Sequence, residues 1–282
     1  MKKICFLFLI LLTALNIFSK GNNFELGKKY FEEKKYEQAE KYLKAVNEEN
    51  KEREEAQLLL AMIYETKKKY SLAENIYKKL VDRGSVKAAN KLGNLYFAQD
   101  DYINALNYYK MSYEKGNKKA AYGIGNVYRE MNDYEKAEKY LKLGSEAGEL
   151  DSTYNLALLY LRLSEIKTSK RNNYISKAKT YFKEAAKRGH VPAMNNLGVI
   201  YREMKEYSEA EKYLKMAYEG ANSKNSEYKE YLGISAWNLE ENYMKLKKNL
   251  EAEKYYKIAL DNEIDYAEDS LKELYKKMKK SF

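Results

Sequence analysis

The chain has 282 residues, 45% of them hydrophobic and 33% charged, and its 52 basic against 42 acidic residues give a formal net charge of +10. One cysteine and one histidine exclude an internal disulfide, a thiolate zinc site and any cluster of imidazoles. One proline, no strand-rich segment, and abundant lysine, glutamate, leucine, alanine and tyrosine point to an all-α protein.

In chain order, Lys2 and Lys3 precede an apolar run from Ile4 to Leu12 that trails to Ser19. Residues 1–19 read as a secretory signal peptide cut near Ser19, because the run is short for the roughly 20 residues of a membrane span. The alternative is an uncleaved anchor. Cys5 opens the run, whereas a lipoprotein cysteine closes it, and its removal leaves a mature chain without cysteine and with a balance of 50 basic to 42 acidic residues.

From residue 20 to 282 the chain repeats itself. Leu26-Gly27-x-x-Tyr30 returns around Tyr64, Tyr96, Tyr128, Tyr160, Tyr201, Tyr243 and Tyr275, at steps of 34, 32, 32, 32, 41, 42 and 32 residues. A fixed period of this length marks a solenoid. Nine residues after most of these tyrosines stands an alanine, Ala39, Ala73, Ala105, Ala137, Ala210 and Ala252; Ala178 lies eighteen after Tyr160. Apolar residues flank each alanine at helical spacing, and the small side chain lets two antiparallel helices approach closely. Gly84, Gly116, Gly148 and Gly189 follow eleven residues later, where a left-handed residue ends a helix. About seven helical hairpins result, then a lysine-rich capping helix over 263–280. Two polar insertions, Ser164–Asn173 and Ala221–Tyr231, read as projecting loops.

Ala88-x-x-x-Leu92-Gly93-x-x-Tyr96, Asp101-Tyr102-x-x-Ala105 and Gly116 together resemble the tetratricopeptide repeat. Ala193-x-x-x-Leu197-Gly198 and Ala185-Ala186-x-x-Gly189 are similar to its Sel-one-like variant. The resemblance covers roughly residues 22 to 280 and implies a right-handed α-solenoid of stacked antiparallel hairpins. It also implies peptide binding in the groove lined by the first helices, on the concave face, with no chemistry and no cofactor.

The residues of that face are those on first helices outside the Leu-Gly-x-x-Tyr seam. They include Asn90, Asn94, Phe97, Tyr122, Asn126, Arg129, Tyr154, Asn195, Arg202 and Trp237. Asparagine both donates and accepts, so it can pair with a peptide backbone; arginine forks onto carboxylates; aromatic rings make rigid anchors. Packing between neighbouring first helices is the competing reading for the rings, and for Trp237 burial.

Catalytic and metal constellations are absent from the sequence. His190 stands alone in a loop after Gly189 and reads as solvent-facing; Glu32-Glu33 and Glu240-Glu241 read as solvated carboxylates among lysines. The expected function is a non-catalytic scaffold for a protein or peptide partner, exported to the periplasm or outside the cell. The alternative is a binder of polyanions or cell-wall polymer using the basic surface. Nucleic acid is disfavoured because an exported protein rarely meets it, and membrane contact is expected only of an uncleaved first segment.

Overall fold

A computed structural model describes residues 23–49, 51–223, 227–264, 272 and 274–276. The expected signal segment and most of the expected capping helix, with Lys277, Lys279 and Lys280, lie outside these. The chain divides into two compact units, Met1–Met131 and Asn132–Phe282, and among the described residues there is no strand.

The first unit holds α1 (23–32), α2 (Tyr36–Lys44), α3 (Arg53–Thr66), α4 (Tyr70–Asp82), α5 (Val86–Phe97), α6 (Tyr102–Glu114) and α7 (Ala120–Glu130). The second holds α8 (Tyr134–Glu146), α9 (Leu150–Ile166), α10 (Arg171–Lys187), α11 (Val191–Glu203), α12 (Tyr207–Asn222), α13 (Tyr231–Lys245) and α14 (Asn249–Asp261). Within each unit successive helices pack together, and first helices of neighbouring hairpins also touch, α5 on α7 and α11 on α13. Each unit is thus a stretch of all-α solenoid.

The seven repeated alanines are fully buried, as close helix contact requires. The glycine of the Leu-Gly signature has its own reason to be small. A Cβ on Gly93 would lie 2.6 Å from the Tyr109 ring, and one on Gly198 would lie 2.5 Å from Leu214. In these repeats, and at Gly27 with Leu43, the residue four places after the alanine packs onto that bare backbone. Six repeats carry glycine or alanine there (Gly27, Ala61, Gly93, Gly125, Ala157, Gly198), and the seventh carries Glu240.

Tyrosine does the joining. Within a hairpin the signature ring stacks on a tyrosine of the second helix: Tyr30 on Tyr42, Tyr96 on Tyr108, Tyr160 on Tyr181, Tyr201 on Tyr213 and Tyr243 on Tyr255, with centroids 5.5–5.7 Å apart. Between hairpins its hydroxyl reaches back. Tyr64, Tyr96, Tyr160, Tyr243 and Tyr275 donate to Glu40, Glu74, Glu138, Glu211 and Glu253 at 2.7–3.1 Å, each glutamate directly following a buried alanine. The same glutamates hold Lys44, Lys78, Lys142, Lys215 and Lys257 one helical turn on, at 2.5–3.0 Å. Lys44, with Lys67 and Tyr64, draws the Glu40 carboxyl down to about 2 against the opposing effect of burial.

Turns between hairpins use the expected glycines at φ +82° to +98°. The turns within hairpins were not legible as left-handed, because lysine, aspartate or asparagine occupies them: Lys34, Lys68, Asp100, Asn132, Lys205 and Lys247 at φ +56° to +62°. At five of them, Lys34, Lys68, Asp100, Lys205 and Lys247, a backbone bond closes the helix, such as Lys69 N–H to Tyr64 carbonyl at 2.8 Å or Glu206 N–H to Tyr201 carbonyl at 2.9 Å. A β-carbon in this conformation costs about 1 kcal/mol or more. Lys205→Gly is therefore expected to stabilise the chain by about 1 kcal/mol, less glycine's added freedom in the unfolded chain; urea unfolding of the two proteins checks it.

Two expectations change. The first insertion is not a projecting loop: α9 and α10 each run 17 residues, joined by Lys167 and a 3₁₀ turn over Thr168–Lys170. Of the second, Ala221 and Asn222 extend α12, and Tyr228 packs at 5.6 Å from the His190 ring. A turn with Glu263 at φ +63° follows α14; of the expected capping helix the described residues 272 and 274–276 are helical, and Leu274 and Tyr275 are buried.

Candidate interaction surface

In the first unit the expected contact residues lie on α5 and α7. Asn94 is exposed and its Oδ1 accepts from the Tyr109 hydroxyl at 2.8 Å. Asn90, Phe97 and Tyr122 are half-buried, with the Phe97 ring 5.8 Å from Tyr102. Asn126 is 7% exposed and its buried Oδ1 has no hydrogen-bond partner. Arg129 lies 2.9 Å from Glu130.

In the second unit the expected residues join hairpins to one another. Asn195 is buried and accepts from Asn238 Nδ2 at 3.0 Å; Arg202 donates to the Asn238 carbonyl at 3.1 Å and pairs with Glu241 at 2.7 Å. Tyr154 packs on Phe182 and, at 4.4 Å, on His190, and its hydroxyl accepts from Asn196 at 3.2 Å. Trp237 is half-buried with its ring edge-on to Tyr256 at 6.0 Å.

Two residues read as solvated are buried. His190 is 3% exposed: its Nδ1 accepts from Ala193 N–H at 3.2 Å, capping α11, and burial lowers its pKa against the pull of Asp151 at 3.7 Å. Glu240 is 1% exposed, its Oε2 lacks a partner, and burial pushes its pKa up to about 8, opposed by a hydrogen bond with Tyr256. Its place in the repeat explains this, since it meets Tyr256, the counterpart of the Tyr109 and Leu214 side chains that pack on glycine. Glu33, by contrast, is exposed and paired with Lys35 at 2.7 Å.

The feature missed in the sequence is a groove on the first-helix face of the second unit. It encloses 540 Å³ between α9, the start of α10 and α11, with Leu158, Leu161, Ile175, Val199 and Met204 among its walls. A smaller recess of 250 Å³ continues it along α10 to Lys179, sharing Ile175 and Met204. Ile166 and Met204 are each nearly half exposed. The lengthened helices form one wall, which is why reading the insertion as a loop hid the groove. The signal was present: among the signature tyrosines only Tyr160 has apolar residues both two places before and one after, Leu158 and Leu161, and the next repeat adds Val199 two before Tyr201.

Among the described residues no group of histidine, cysteine or carboxylate side chains could hold a metal ion, and no helix is long and apolar enough to cross a membrane.

Residues 30–91, 118–146 and 193–222 each match a model of the tetratricopeptide repeat, while no curated protein matches the sequence. Among solved structures, a protective antigen of uropathogenic Escherichia coli strains that displays an SLR fold is similar with a TM-score of 0.65 and 20% identity. That likeness covers 90% of this chain and 56% of the antigen, so the chain spans little more than half the antigen's length. A tetratricopeptide repeat protein from Parabacteroides merdae is similar with a TM-score of 0.55 and 15% identity, over 91% of this chain and 98% of that one. The tetratricopeptide repeat is thus matched in both units, and the fold shared by tetratricopeptide and SLR proteins is recovered along nine-tenths of the chain.

Proposed function

We propose that the chain is a non-catalytic scaffold that holds a peptide segment of a partner protein on its first-helix face, with the groove between α9 and α11 as the main contact. The observation that carries this is the groove: apolar walls, exposed Met204 at its edge, and a volume within the range of ligand-binding clefts. A surface of this kind receives a few apolar anchors, and most of a binding energy comes from such buried anchors. The exposed Asn94 and half-buried Asn90 on α5 offer the first unit's contribution to a longer contact. Export, read from residues 1–19, places the partner in the periplasm or outside the cell.

Photo-crosslinking tests this. A photoreactive residue at Val199, on the groove wall, is expected to trap one or a few proteins in the source cells, and one at Leu72, exposed and apolar on α4, is expected to trap none of them. Equal labelling from both positions, or none from Val199, would overturn the reading. Fractionating the same cells tests export, with the cytosolic fraction as the adverse outcome.

A further inference from the structure

Helix α10 departs from every other second helix in charge. It carries Arg171, Lys177, Lys179, Lys183 and Lys187 against Glu184, a net charge of +4, whereas α2, α4, α6, α8, α12 and α14 each sum to 0 or −1. Lys167 and Lys170 precede it and Arg188 follows. At the position where five hairpins place the glutamate that accepts from a neighbouring tyrosine, α10 places Lys179, which lies over the Tyr201 ring at 4.4 Å. The tyrosine–glutamate bond of those hairpins is replaced here by a contact of the Tyr201 hydroxyl with Lys183, a turn further along α10.

The lysines are also held in place. Lys177 sits 5.0 Å from the centre of the Tyr160 ring and Lys183 sits 5.5 Å from that of Tyr201. Among the described residues no carboxylate lies within ion-pair distance of Lys170, Arg171, Lys177, Lys179, Lys183 or Lys187, although the other second helices pair their lysines readily. Side chains ordered in advance lose less freedom on binding.

The basic helix and the apolar groove are continuous: Arg171 lines the larger cavity, Lys179 lines the smaller one, and Lys179 Nζ lies 3.4 Å from Met204 Sδ. Of the groove's own carboxylates, Glu165 is paired with Arg162 at 3.1 Å, and Glu203 belongs to α11. The vacant positive charge therefore borders the groove along α10.

On the reading of the groove as a peptide site, we infer that its partner segment is acidic as well as apolar, seating aliphatic side chains against Leu161, Val199 and Met204 while its carboxylates meet Lys170, Arg171 and Lys179. The apolar walls beside the lysines favour such a peptide over a bare polyanion, which has nothing to place in the groove.

The test uses the full chain and three labelled probes in fluorescence anisotropy: a short peptide of leucine and glutamate, the same peptide with glutamine for glutamate, and inorganic polyphosphate. The acidic peptide is expected to bind about tenfold more tightly than its glutamine form at low salt, three exposed ion pairs being worth about that factor. The advantage should shrink as salt screens it. Combined Lys170→Gln, Arg171→Gln and Lys179→Gln should erase the difference, Met204→Ser should weaken both peptides, and Lys212→Gln, on α12, should change neither. Circular dichroism verifies that the variants fold. Equal binding of the two peptides, still weakened by Met204→Ser, would overturn the acidic partner and leave the groove standing. Binding of polyphosphate alone, or of no probe, would overturn both.

Discussion

Glu240→Gln is expected to stabilise the second unit by about 3 kcal/mol at pH 7, by more at pH 9, and hardly at all at pH 4. Burial raises the Glu240 carboxyl from its ordinary 4.5 to about 8. Between those values the folded chain holds a proton that the unfolded chain has released, so wild-type stability falls as pH rises from 4.5 to about 8 and is then flat. Glutamine cannot ionise, and its amide keeps a polar group within reach of Tyr256. The readout is close at hand, since Trp237 lies one helical turn away on α13 and is the sole tryptophan. Urea unfolding followed by its fluorescence over this pH range should give a falling curve for wild type relative to the variant. Parallel curves would mean that Glu240 ionises as it does in water. The glutamates joined to tyrosine and lysine contribute with the opposite sign. Glu40, Glu74, Glu138 and Glu211 have lowered pKa values, so their stabilisation is complete above 4.5 and is lost as pH falls through the folded values.

Tyr160→Ala is expected to cost about 4 kcal/mol, within the range for removing a large buried ring, and Tyr160→Phe about 1 kcal/mol. The ring is 1% exposed, stacks on Tyr174 and Tyr181, and carries Lys177 on its face, while its hydroxyl donates to Glu138 at 2.8 Å. Phenylalanine keeps the stacking and removes only the reach to the preceding hairpin; Glu138 still holds Lys142 at 2.5 Å. Guanidinium unfolding of both variants separates the two contributions. Equal losses would show that the hydroxyl, and not the ring, carries the junction.

The repeat made the fold readable, because recurring apolar spacing with alanine at one fixed place leaves little choice but paired helices. What the period could not convey were departures from it. The αL residues within hairpins are lysines as often as not, so no composition cue marks them. His190 occupies a helix cap where Ser85 stands in an earlier repeat, and only packing under Tyr154 and Tyr228 buries it. Glu240 could have been noticed by aligning the repeats on tyrosine, since it replaces a glycine or alanine. Of the ten residues expected to meet a partner, Asn195 and Arg202 bind a neighbouring helix, because a first helix faces its neighbour as well as solvent. The groove arose from ten inserted residues that lengthened two helices, and inserted polar sequence says little about whether it will coil.

The tyrosine hydroxyls give the array a direction. Five of them look back by one hairpin to a glutamate at the same rung, so those junctions are written in the same two letters, one at the head of a module and one at the tail of the module before it. At these junctions whole modules can be gained or lost without rewriting the pair, whereas a cut inside a module strands a tyrosine on one side and a glutamate on the other. A chain joined in this way tolerates changes of length in whole steps and resists changes of phase.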